Sequence, residues 1–248
     1  MRARGRLQGP VAHHLLYSPM RARAAQQASL DRSGSIFDIW DQGPTGSCVA
    51  HALLGAILAA RKAAGLPVLN LSRVTLYALA REIDRGGQWV GLQDGGCIPA
   101  AAIRALRECG APAYELRPTD PATVNDEPSL AELESAEEAL LAFARDSLWS
   151  SYAVPSDIDA VRAALASGAF LTVGIAADTA TFQDYRGGVL GNQGPSVDHE
   201  VLLLDYDGGT VRGVNSWGRG WGESGLFRLD SSGVSGLAEI VAHNVRAL

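Results

Sequence analysis

The sequence predicts an α+β protein of two lobes, helical first and β-rich second. Two observations carry this. Between Ser47 and residue 148, apolar residues recur at helical spacing, broken by Gly and Pro; from Ala169 onward, short β-prone runs alternate with Gly and Asp. The 248 residues are 47% hydrophobic and 19% charged. A chain of this size buries roughly 70–75% of its unfolded surface. No internal repeat is present.

Residues 1–35 lack sustained periodicity and read as a basic extension. They hold Arg2, Arg4, Arg6, Arg21, Arg23 and Arg32 against Asp31 alone, which leaves the other 213 residues at −11. An acidic body argues against non-specific nucleic-acid binding, which needs a positive footprint. The arm is expected as a solvated terminus, or docked on an anionic surface or on its own acidic body. The domain proper is expected over 36–248, with the helical lobe at about 46–148 and the β-rich lobe at about 150–245.

Cys48 to Ala60 carries no formal charge and is apolar nearly all round, which predicts a buried helix. It should end at Gly65, with Arg61 and Lys62 at the negative end of its dipole. Ser72 caps a second predicted helix running to Glu82. A third runs from Pro99 to Cys109, with Pro99 in its first turn and Gly110 after its end. Ser129 and Glu132 form a capping box for a fourth, with Leu130, Leu133, Leu140, Leu141 and Ala144 on one face. The acid-rich stretch 115–148 reads as that helix's solvated side. Ser156 to Ser167 is a short helix. Residues 169–176, 200–206, 210–215 and 225–229 are predicted strands.

No secretory signal is visible, because His13 and His14 interrupt the run after the charged start. Gly43 to Ala60 approaches the length of a membrane span, but Pro44, two glycines and His51 favour a core helix. A cytoplasmic protein without a membrane span is expected, unless a dedicated secretion system exports it. Three cysteines, Cys48, Cys97 and Cys109, make no closed disulfide framework, and no CxxC pair supports structural zinc. No metal and no cofactor is expected.

A lone Cys on an apolar helix is usually inert. Gly43-Pro44-Thr45-Gly46 cannot extend the helix backwards, however, so Cys48 falls in its first turn, where unpaired amides and the dipole favour a thiolate. Such a nucleophile needs a proton shuttle. His199 opens the apolar strand Val201–Leu204. Sixteen residues later, after a turn at Asp207-Gly208-Gly209, comes Asn215, whose amide oxygen can accept the imidazole N–H and fix its tautomer.

These residues sit in motifs. Asp41-Gln42-Gly43-Pro44-Thr45-Gly46-Ser47-Cys48-Val49-Ala50, Val197-Asp198-His199-Glu200-Val201 and Asn215-Ser216-Trp217-Gly218-Arg219-Gly220-Trp221-Gly222-Glu223-Ser224-Gly225 resemble, in order, the nucleophile, histidine and asparagine segments of the papain family of cysteine peptidases. Gly95-Gly96 and Phe182–Val189 agree more weakly, and the resemblance covers about residues 36–230. It implies a papain-like fold, with a helical left lobe and an antiparallel, barrel-like right lobe flanking an active-site cleft. It implies hydrolysis of peptide or protein substrates through a thioester. Cys48 would be the nucleophile, His199 the general base and acid, and Asn215 its orienter, shielded by Trp217. Gln42 would be an oxyanion donor. Gly95 and Gly96 would pair with an extended substrate, Asp198 and Glu200 would lie beside it, and Trp221 would wall the leaving-group side. Acyl transfer, side-chain amide or isopeptide hydrolysis, and a non-catalytic binding module are the alternatives weighed.

The departures are specific. Thr45 stands where the family has a disulfide cysteine, and Val49 and His51 replace aromatics. Glu200 replaces a small apolar residue near the pocket for the second substrate residue, where it would either favour a basic side chain or point to solvent. Cys97 and Cys109 have no clear counterpart and are either free thiols or bridged to each other. Residues 1–35 are shorter than the family's inhibitory prosegment.

Overall fold

The computed structural model describes residues 6–7, 28–87 and 93–248. Most of the expected extension (1–5 and 8–27) and the middle of the glycine-rich segment (88–92) lie outside the described residues.

Helix α1 (Cys48–Ala63) is the axis of the molecule. Its Ala56, Ala59 and Ala60 lie against Phe170, Leu202 and Leu204 of the sheet, and these small residues bring helix and strands close together. Its Leu53, Leu54, Ile57 and Leu58 pack into the helical lobe with α2 (Arg73–Asp84) and α3 (Pro99–Glu108). A helix buried on both sides has no polar face to spare, which is why its sequence is uncharged up to Arg61. It stops at Gly65, whose φ of +71° only glycine adopts cheaply, with Gly65 N bonded to Lys62 O and Leu66 N to Arg61 O. Arg61 is itself buried. It forks onto Asp146 at 2.8 and 2.9 Å and lies over Phe143, fastening α1 to α4 (Leu130–Asp146).

The second half is a sheet whose main path runs β2 (Ser147–Ala153), β7 (Ala238–Ala247), β3 (Phe170–Ile175), β4 (His199–Asp207), β5 (Thr210–Val214), β6 (Leu226–Leu229). Every strand pairing is antiparallel. Among the described residues the outer strands β2 and β6 do not pair, so the sheet is open rather than closed into a barrel. Short helices α5 (Ile158–Ala166), α6 (Ala180–Gln183) and α7 (Ser231–Ser235) flank it. A separate apolar cluster, including Phe182, Trp217, Trp221 and Phe227, forms this lobe's core.

The predicted helices and the four predicted strands lie where the periodicity puts them, within a few residues. Two long strands, β2 and β7, have no counterpart among the sequence-based assignments. Their sequences, SLWSSYA and AEIVAHNVRA, mix polar and apolar residues without clear alternation, and His243 and Ser151 are polar residues packed inward. The boundary expected at residue 35 also differs. β1 (Ser29–Leu30) pairs with Tyr206 and Asp207 of β4, and Arg32 bonds Ala169 O and, through its amide, Asp205, so residues 29–32 belong to the sheet. No described helix is long and apolar enough to cross a membrane.

The capping box at α4 is complete: Ser129 Oγ accepts from Glu132 N, and the Glu132 carboxylate accepts from Ser129 N at 2.9 Å. Glu132 also accepts from Thr75 Oγ1 at 2.7 Å, joining α4 to α2. Ser129→Ala is expected to lower unfolding free energy by about 1 kcal/mol in a urea titration, without changing the slope.

Candidate active site

Cys48 is the first residue of α1, fully buried. The loop before it is held by hydrogen bonds. Thr45 Oγ1 donates to Gln42 O at 2.8 Å and lies 2.6 Å from Ser47 Oγ, so this threonine ties the loop by hydrogen bonds where a bridged cysteine would tie it covalently. Cys97 and Cys109 are unbridged. Gly46 N donates to Asp94 Oδ1 at 2.8 Å, and a Cβ at Gly46 would stand 2.7 Å from that oxygen, so the contact exists only because the residue is glycine.

His51, one turn into α1, is structural. Its Nδ1 donates to Ser47 O at 2.9 Å, which assigns the proton, and its ring meets the edge of Trp40. Burial, with the Arg73 charge adding to it, pushes its pKa down to about 3.

His199 begins β4 and Asn215 follows the end of β5, and the hairpin between them brings the two together as the sequence implies. His199 Nε2 lies 2.7 Å from Asn215 Oδ1. The amide oxygen can only accept, so Nε2 carries the hydrogen and Nδ1 is the nitrogen that can accept a proton. Ser216 N donates to the same Oδ1 at 2.8 Å and fixes the amide's orientation. Trp217 lies over the imidazole at 4.8 Å between ring centroids, and Phe182 approaches its edge at 6.2 Å. His199 and Asn215 are both buried, so water does not compete for their bond.

Gln42 is fixed at both ends of its amide. Its Oε1 accepts from Ser216 Oγ at 2.5 Å, and its Nε2 donates one of two hydrogens to Thr45 O at 2.7 Å. Backbone bonds run alongside, from Gln42 N to Ser216 O (2.8 Å) and Gly218 N to Trp40 O (2.9 Å), with Asp41 bridged to Trp217. The segment leading to Cys48 is therefore stitched to the segment carrying Asn215.

The expected substrate residues fall in three places. Asp198 Oδ1 accepts from Ala177 N at 2.8 Å, and its carbonyl accepts from Arg6 N. Gly96 sends its N–H to Tyr77 Oη at 2.8 Å, and it is Cys97, the next residue, whose carbonyl accepts from Leu7 N. Gly95 lies beside it. Trp221 is a layer below the histidine, with its indole N–H on Phe182 O at 3.0 Å and its ring against Phe182 and Trp217; it supports the site through them. Glu200 is buried, and burial pushes its carboxyl up to about 8 although the Arg6 guanidinium pulls the other way. Burial also raises the Cys97 thiol, with the negative charge of Cys48 adding to it.

The sequence reading missed Asp94, Tyr77, Ser216 and Glu239. Each acts through a partner at least 17 residues away, which no local pattern announces. Ser216 alone carried a signal, as the residue inside the asparagine motif.

His51, His243 and Glu200 are buried groups that titrate far from their ordinary values. His243, between Ser151 Oγ and Thr172 Oγ1, is pushed down to about 3 by burial and then by Arg107. His51 and His243 stay neutral in the fold yet bind protons near 6.5 when unfolded, so stability is lost as pH falls from 6.5 toward 3. Glu200 keeps its proton to about 8 in the fold but releases it near 4.5 when unfolded, so stability is lost as pH rises across that range. Among these three groups, two oppose one below 6.5 and only Glu200 titrates above it. Tm should therefore peak at about pH 6.5. His243→Gln should flatten the acidic limb and Glu200→Gln the alkaline one, and a Tm rising steadily from pH 5 to 8 would contradict this.

Comparisons with known proteins agree with this geometry. The family model described as papain family cysteine protease matches residues 25–245. A cysteine proteinase of Trypanosoma brucei brucei is 27% identical over 213 residues, 84% of this chain and 44% of that protein. Papain of Carica papaya is 45% identical over 62 residues, 23% of this chain and 18% of papain. The chain thus spans about half or less of the length of these two curated relatives. Xylellain, a cysteine protease from Xylella fastidiosa, superposes with a TM-score of 0.80 at 23% identity, covering 98% of this chain and 96% of that one, which shows the shared fold. The chain belongs to the papain family of cysteine proteases.

Proposed function

We propose that the chain is a cysteine peptidase that hydrolyses peptide bonds through a thioester on Cys48. The observation that carries this is the buried His199–Asn215 hydrogen bond of 2.7 Å beneath Trp217, on a frame stitched to the nucleophile loop. A histidine so held presents Nδ1 as a proton carrier of fixed tautomer. Cys48 opens a 16-residue helix, whose first-turn amides and dipole stabilise the thiolate.

In the first step the thiolate attacks the peptide carbonyl carbon. The oxyanion that forms is met by the Cys48 amide and the side-chain amide of Gln42. His199 passes a proton to the leaving amine, the C–N bond breaks and a thioester remains. Water then attacks the thioester, with His199 taking its proton, and the acid product and the thiolate are released. Gln42 needs no reorganisation for its role, because Ser216 and Thr45 already hold its amide.

An epoxysuccinyl thiol reagent, followed by mass mapping, tests this reading. Cys48 should react far faster than a model thiol; a rate no greater than the model's sinks the activated-nucleophile reading. Asn215→Ala should lower kcat by at least about tenfold while leaving Tm within a few degrees. Gln42→Ala should cost about 10²–10³ in kcat, the usual loss for one oxyanion donor.

A further inference from the structure

A cavity of about 280 Å³ lies where five elements meet. Its apolar wall comes from Ile57 of α1, Leu106 of α3, Leu140 and Phe143 of α4, Leu148 of β2 and Val245 of β7. None of the residues assigned to the peptidase site lines it. Leu148 is 62% exposed, so the way in is apolar as well. A cavity of about 150 Å³ walled by such side chains holds a benzene ring, and at the same ratio this one has room for an aliphatic chain of roughly ten carbons.

The polar groups on the wall are one-sided. Arg61, Arg107, Ser147 and Trp149 supply them, and no carboxylate lines the cavity among the described residues. Ser147 is fully used: its Oγ accepts from Arg61 Nη1 at 2.8 Å and donates to Phe143 O at 2.7 Å. Arg61 is nearly so, with Asp146 on both terminal nitrogens and Pro67 O on Nε. Arg107 is different. Its guanidinium lies over the Trp149 ring at 4.7 Å from the centroid. Such burial as it has pulls its pKa down, and among the described residues no carboxylate pulls it back up. The Trp149 indole N–H is buried and has no acceptor among the described residues. The wall thus offers donors without acceptors, on a chain that is acidic as a whole.

These properties narrow the ligand to one class. The apolar wall favours a hydrocarbon body. A guanidinium partly withdrawn from water, with no acid beside it, favours an anion, and a carboxylate matches its fork with two parallel hydrogen bonds. A cation would meet two arginines, and a neutral head group would leave Arg107 without a counter-charge. Arg107 is solvent-exposed, so a carboxylate can reach it while the chain lies inside.

We propose that this cavity is a binding site for a medium-chain aliphatic carboxylate, whose chain lies against α1, α4 and the β2–β7 pair and whose head group pairs with Arg107. The site is separate from Cys48 and does not depend on the peptidase reading.

Isothermal titration calorimetry of straight-chain carboxylates into the full chain tests it. Affinity should rise about threefold with each added methylene from hexanoate and level off at roughly ten carbons, once the cavity is full; an affinity independent of chain length overturns the proposal. Decylammonium should bind more weakly than decanoate, and the reverse order overturns it too. Arg107→Gln should weaken decanoate about tenfold while leaving 1-decanol within about twofold; an unchanged decanoate affinity overturns the pairing with Arg107. Ala144 lines the cavity from an exposed position on α4, so a ring there fills the space without entering the core. Ala144→Phe should abolish binding, and saturable decanoate binding that survives it puts the ligand elsewhere and overturns the site. A dimer that Ala144→Phe dissociates, in a chain that takes up no decanoate, makes the cavity a contact between copies and overturns it as well.

Discussion

The seam between residues 40–42 and 215–218 is the constraint on which the rest of the site depends. Cys48 and His199 come from different lobes, so neither lobe alone can set their relation. Three hydrogen bonds (Gln42 N to Ser216 O, Ser216 Oγ to Gln42 Oε1, Gly218 N to Trp40 O) lock the two segments edge to edge. The same residues do local duties. Ser216 orients Asn215 through its amide and Gln42 through its hydroxyl, so the proposed imidazole orienter and the proposed oxyanion donor share one anchor. Beneath the seam, the alanine face of α1 on Phe170, Leu202 and Leu204 fixes the spacing of helix and sheet.

The site spends polar groups in the interior, and several are tied by directional bonds. Arg61 is paired with Asp146, His243 lies between two hydroxyls, and His51 is bonded to its own helix start. These groups hold elements together at points where apolar packing has no directional preference. Glu200 differs from them. Its partner comes from residue 6, 194 positions away, and burial still dominates its protonation.

How much of this was legible follows from how far each signal reaches. Helix ends were readable because caps are local: Ser72, Ser129 with Glu132, and Gly65 each announce a boundary within four residues. Cys48, His199 and Asn215 were readable from motif order. Strands β2 and β7 were not, because their burial comes from pairing with each other across some 90 residues, and a buried His243 looks polar until Ser151 and Thr172 are known to meet it. Glu200 stood out as a substitution inside a motif, whereas Glu239 shows itself only through a bulge that no local sequence pattern specifies.

Thr45 has a consequence for how the molecule meets its chemical surroundings. A loop tied by a hydroxyl rather than a sulfur bridge has nothing for a reductant to cut. Thiol reagents that keep Cys48 reduced therefore act on reactivity alone, and the architecture is indifferent to the redox poise around it. Oxidation, conversely, reaches the chain through its thiols rather than through a bridge.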